Sequence, residues 1–142
     1  MSYSVLNKVA GDEVSSTYEG RHLAFAESDI THPSHPDGLV DKGDPVKVGA
    51  SIVGVAFKSA LATTDPIAID SEGIWVLTCK AVNNVGNSAI AVGDILAIQS
   101  SCQVDKNTTA GEIFGYALTT LAAGATGLVV VKVHGGQPQT AA

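Results

Sequence analysis

Gly43-Asp44-Pro45-Val46-Lys47-Val48 and, further on, Gly93-Asp94-Ile95-Leu96-Ala97-Ile98 decide how this chain folds. Each opens with glycine–aspartate turn chemistry and continues as a short, mostly apolar run. A second pair follows in the same order: Ile52-Val53-Gly54-Val55-Ala56-Phe57 matches Ile113-Phe114-Gly115-Tyr116-Ala117-Leu118. A third pair, Ile67-Ala68-Ile69 and Val129-Val130-Val131, comes at nearly the same offset, and the second copy carries an extra segment over 100–110. Two copies are too few for a solenoid, so the repeat predicts one barrel made from two related halves. The glycine inside each I-x-G-x-A run predicts a bulge or a close backbone approach, because glycine weakens a free strand interior.

Outward from these runs, the text from about Lys42 onward reads as β-structure, with turn residues every few positions. The expected strands are 45–48, 52–57, 67–69, 73–79, 95–98, 113–118 and 128–133, with the Phe57 and Tyr116 strands buried. Only 59–62 and 121–125 have helical character, and both are too short to nucleate alone. Before Lys42 the character changes. Residues 1–9 precede a polar stretch, 11–16, and a possible strand over 21–26 leads into the loop 29–38. There, His32-Pro33-Ser34-His35-Pro36-Asp37 holds two prolines that force extended backbone. The expected organisation is an N-terminal arm and Pro-rich loop (1–42), a barrel-like domain (43–137) and a flexible tail (138–142).

Composition excludes several function classes. Of 142 residues 45% are hydrophobic but only 15% are charged, against about a quarter charged in ordinary domains. That excludes a highly charged disordered chain, and no apolar run approaches the ~20 residues of a membrane span. The start, MSYSVLNKV, lacks a basic n-region followed by an apolar h-region, so no export signal is expected. With a net charge of −6, one arginine (Arg21) and scattered lysines, the chain lacks the clustered basic face that phosphate neutralisation needs. Nucleic acid and membrane are therefore not expected partners. Cys79 and Cys102 form no CxxC pair and read as two reduced, buried thiols.

The chemical inventory is short. His32, His35 and Asp37 are residue types that hold a transition metal, but without a third histidine or a cysteine close by the run reads as a stiff loop. No metal and no cofactor is expected. His22 and His134 stand alone. Asp65, Asp70 and Glu72 place three carboxylates near one strand, but Asp65-Pro66 and Asp70-Ser71-Glu72-Gly73 have turn chemistry. No nucleophile elbow, H-E-x-x-H or phosphate loop occurs, so an enzyme is not expected. Val92-Gly93-Asp94-Ile95-Leu96 is similar to the approach to the swinging-arm turn of biotinyl and lipoyl domains. The residues after it are Gln99-Ser100-Ser101-Cys102, with no lysine until Lys106, so the attachment chemistry is missing. In Gly73-Ile74-Trp75-Val76-Leu77, alternation sends Trp75 to the face opposite Ile74 and Val76, where it caps the core or anchors a subunit interface.

The order of these pieces, from Gly43-Asp44-Pro45 through Glu72-Gly73-Ile74-Trp75-Val76-Leu77 to Gly127-Leu128-Val129-Val130-Val131-Lys132-Val133, resembles the capsid decoration or cement proteins of tailed phages. More specifically, it resembles a small β-rich group encoded beside major capsid proteins. The resemblance implies an all-β, small β-barrel or β-tulip-like domain with an extended N-terminal arm. It also implies a homotrimer on the outer surface of the expanded virion head, made in the host cytoplasm, that clamps neighbouring major capsid protein subunits. No catalytic residues come with the family. The arm, with Tyr3, Val5 and Leu6 as apolar anchors, is expected to contact the capsid by adding a strand to an exposed sheet edge. The rival reading is a virion-surface β-module that binds a host glycan or receptor, through the 32–37 loop or the 100–110 insertion. A small trimeric β-barrel enzyme ranks last, for want of a phosphate cradle.

Overall fold

Apolar runs bounded by Gly, Asp and Pro become strands here because their β-branched residues suit a pleated, half-buried surface. The computed structural model describes residues 5–15 and 22–134. Their regular structure is all β apart from one 3-10 turn, Glu27–Asp29. The strands are β1 (Glu13–Ser15), β2 (His22–Ala26), β3 (Pro45–Val48), β4 (Ile52–Ala56), β5 (Pro66–Asp70), β6 (Ile74–Lys80), β7 (Ile95–Ile98), β8 (Val104–Asp105), β9 (Glu112–Ala117) and β10 (Thr126–Val133). They form a four-stranded sheet, β2-β5-β4-β3, and a six-stranded sheet, β1-β6-β10-β9-β7-β8. Neighbours are antiparallel, and β8 also meets β6 in parallel at Val104 and Cys79. The larger sheet therefore curls round on itself as a half-barrel, which removes most of its open edge.

The duplication is visible in the register. Pro45 faces Val55 and Val46 faces Gly54, as Ile95 faces Tyr116 and Leu96 faces Gly115. Val55 and Ala56 then face Asp70 and Ile69, as Tyr116 and Ala117 face Lys132 and Val131. One further strand completes each half: Leu23 and Phe25 face Ile69 and Ile67, and Trp75 and Leu77 face Val131 and Val129. So β2-β3-β4-β5 corresponds to β6-β7-β9-β10. In both, the first strand returns beside the fourth, a Greek-key order. The sequence repeat stops one strand short, because His22–Ala26 and Ile74–Lys80 share little text.

The glycine of each I-x-G-x-A run sits where strand backbones nearly touch. A Cβ on Gly54 would lie 2.5 Å from the Asp70 carbonyl oxygen, and one on Gly115 would collide with that of Lys132. The turn glycines Gly43 and Gly93 also match, with φ of +89° and +91°, a region costly for any residue with a Cβ.

Two cores result. The larger fills the half-barrel and includes Trp75, Leu77, Leu96, Ile98, Phe114, Val129 and Val131, with Val53 and Val55 contributed by β4. The smaller, around Ile30, Val40, Val46, Ala60, Ile67 and Ile69, brings in the connections before β3 and after β4. Its strand β4 is buried on both faces, as a strand between two cores must be.

Some details differ from the sequence reading. The segments 59–62 and 121–125 are not helical, and Leu121 forms an antiparallel bridge with Ile90. Strands β1 and β8 arise in stretches read as polar arm and as insertion. β9 is buried at Phe114 and Ala117, yet Tyr116 is exposed, because a bulge skips Phe114 in the pairing with β7 and breaks the alternation, so Phe114 and Ala117 share the inner face. Among the described residues, no helix is long and apolar enough to cross a membrane.

Candidate functional site

In each half the second strand is entered through a carboxylate-locked turn. Asp94 Oδ2 accepts the Ala91 N–H at 2.8 Å, and Asp44 Oδ2 accepts the Asp41 N–H at 2.8 Å. The Gly43 and Gly93 amides donate to Ala56 and Ala117, and those two alanines donate back to the Asp44 and Asp94 carbonyls. The side-chain partners diverge. Asp94 pairs with Lys106 Nζ at 3.1 Å, and the Ala91 amide together with that lysine holds its carboxyl below the ordinary value. Asp44 instead meets His35 Nε2 at 2.6 Å. Burial pushes the Asp44 carboxyl up, while the hydrogen bond to Asp44 raises the His35 imidazole.

His35 belongs to the long connection from β2 to β3, whose extended backbone leaves amides that side chains must satisfy. Buried Glu27 accepts the Val40 N–H at 3.0 Å and lies 2.8 Å from His32 Nε2. The Asp37 carboxylate accepts the Leu39 N–H. The His32 and His35 rings stack with centroids 6.1 Å apart. A ligand atom from each of His32, His35 and Asp44 lies within 4.8 Å of the others. The sequence run pointed to Asp37; the carboxylate the fold delivers is Asp44, brought in by the turn before β3. The only textual signal for it was the Gly43-Asp44 turn, read there for its backbone alone.

The other carboxylates do turn work. Asp65 accepts the Leu61 and Ala62 amides. Asp70 accepts the Glu72 and Gly73 amides and, at 2.9 Å, the Trp75 Nε1–H. Asp65 and Asp70 flank opposite ends of β5 and form no acid–base pair. Trp75 is fully buried and packs edge-on against Phe57, which leaves it no exposed surface within this chain. His22 packs against Phe57 and His134 lies near Tyr116. Lys106 also donates to Ser88 and Ala89, so it is held down at both ends of its reach. Cys79 and Cys102 are free and buried, and burial pushes their thiols up to about 12 and about 11.

A cleft of about 430 Å³ runs between the arm at Ala10, the loop at Pro33 and the barrel seam at Cys79, Cys102 and Gln103. The arm crosses here: a Cβ on Gly43 would strike the Gly11 backbone. Gly11 donates to Val76, and Val76 donates to Asp12. The arm thus adds β1 to this chain's own β6, with Glu13 opposite Trp75. Of the expected capsid-contact residues, Tyr3 lies outside the described residues, Val5 is half-buried and Leu6 is exposed.

The fold and its turns define a class: a duplicated Greek-key β-module with its hairpin ends stiffened by carboxylates. The family model described as phage cement protein matches residues 24–133, and the chain belongs to that family, as the resemblance of its strands implied. It is a structural component of the virion, with a capsid decoration role. The match spans both halves of the duplication and begins inside β2. No curated protein and no solved structure matches the chain.

Proposed function

We infer that this chain seats on the outer surface of an expanded phage head as a homotrimer and clamps neighbouring major capsid protein subunits. The observation that carries the reading is the phage cement match across both halves of the fold, residues 24–133. A protein that binds the assembled lattice and not free subunits stabilises the lattice by mass action. A trimer that engages three sites gains further through effective concentration.

The arm supports the same reading. β1 is the terminal strand in the order of the six-stranded sheet, and an outer strand edge is a template for strand addition. Just before it, Leu6 and Val9 are 76% and 65% exposed, apolar surface open to a partner. Tyr3, Val5 and Leu6 are the arm's capsid anchors in this reading. Deleting residues 1–10 leaves β1 intact and is expected to weaken binding to expanded, undecorated heads at least tenfold in a co-sedimentation assay. Unchanged affinity contradicts the arm's role.

A further inference from the structure

The ring nitrogens of His32 and His35 all face oxygen acceptors. His32 Nδ1 lies 2.7 Å from the Pro33 carbonyl oxygen and its Nε2 lies 2.8 Å from Glu27 Oε2. His35 Nε2 lies 2.6 Å from Asp44 Oδ2 and its Nδ1 lies 3.4 Å from Asp41 Oδ2. Ionised carboxylates and backbone carbonyls only accept. Two neutral imidazoles carry two N–H donors between them, so at least one of the three closest contacts sets lone pair against lone pair. The cluster calls for added positive charge.

The duplication shows what fills this place elsewhere. In the second half the corresponding turn carboxylate, Asp94, is matched by the Lys106 ammonium. In the first half the place is taken by an imidazole, backed by a second imidazole stacked behind it. Imidazole nitrogens with a carboxylate are a donor set for borderline first-row ions, whereas magnesium and calcium take oxygen ligands.

We propose that His32, His35 and Asp44 bind one divalent transition-metal ion of the zinc type, with Glu27 and Asp41 as outer carboxylates that orient the two imidazoles. Their ligand atoms already lie within 4.8 Å of one another, and around a tetrahedral zinc ion such atoms are about 3.3 Å apart, so side-chain rotation suffices. Metal-bound histidines characteristically hand their other ring N–H to a carboxylate or carbonyl. Here Glu27, with its side chain 4% exposed, stands ready for His32, and Asp41 stands beside His35. Pro33 and Pro36 stiffen the backbone between the two histidines. Bound metal ties the connection between β2 and β3 to the turn of β3, at the rim of the cleft that the arm crosses.

The test uses the full chain, stripped with a chelator and titrated with Co²⁺, whose ligand-field absorption reports nitrogen and oxygen coordination. The expected result is saturation at one equivalent per chain, displacement by Zn²⁺, and a rise in melting temperature with Zn²⁺. His35→Gln and His32→Gln are expected to lower Co²⁺ affinity at least a hundredfold, and His134→Gln to leave it unchanged. Should the first two variants fail to fold, ¹⁵N spectra of the wild-type histidine rings decide: Zn²⁺ is expected to shift two of the four, those of His32 and His35. Absence of saturable binding, or Zn²⁺ shifts confined to His22 and His134, overturns the site.

Discussion

At the scale of single residues, the fold turns on places where a side chain is forbidden and places where a carboxylate is required. Gly54 lies against the Asp70 carbonyl, which belongs to the strand backbone and cannot swing aside. Gly54→Ala is therefore expected to destabilise by about 2 kcal/mol or more, the upper part of the range for overpacking, measured by urea unfolding; a change within 0.5 kcal/mol, roughly the noise of a surface substitution, contradicts the close approach. Asp94 makes the complementary case. Its folded-state carboxyl titrates below its ordinary 3.8, so the ionised form is favoured in the fold. The stability it adds is complete above the unfolded value and is lost as pH falls from there through the folded value. Asp94→Asn is expected to flatten that acid limb in unfolding curves taken below about pH 4, with the neutral-pH stability lowered; an unaltered limb excludes Asp94 as a contributor.

At the scale of elements, the strands with strong apolar alternation were legible in the sequence and the short polar ones were not. β3 and β7 fall at 45–48 and 95–98 as read, and β4, β5, β6, β9 and β10 differ only at their ends. Glu13–Ser15 and Val104–Asp105 carry almost no periodic signal, because their place is set by tertiary partners: β6 for the first, and β6 and β7 for the second. The buried Asp105 shows what holds β8. It accepts the Gln99 and Gln103 side-chain amides, both at 2.7 Å, and the Asn107 N–H at 2.9 Å. Nothing in the text links those four residues until the loop is folded. Asp105→Ala is expected to cost about 1–3 kcal/mol, the range for stranding buried donors, and to speed amide exchange around β8 more than in β10. Uniform acceleration across both strands contradicts a local lock. The histidine cluster was half legible for the same reason: His32 and His35 stand out as text, whereas Glu27 and Asp44 come to them through the folded connection.

At the scale of the whole molecule, the duplication explains both the composition and the role. Two Greek-key halves with matched registers need many glycines, small residues and β-branched residues, and few charges. The halves then diverge where the fold leaves freedom: the first carries the arm-crossing turn and the histidine loop, and the second carries the Lys106-capped turn and the seam that closes the half-barrel. Most buried polar groups serve turns, which suits a phage cement protein whose work is mechanical. The most direct test mixes the purified chain with expanded, undecorated heads of the phage that encodes it and images them by electron cryo-microscopy. The expected result is trimeric density on the outer surface at three-fold and quasi-three-fold positions, in contact with more than one major capsid subunit. Heads that stay bare, or single copies bound to one subunit each, contradict the clamp.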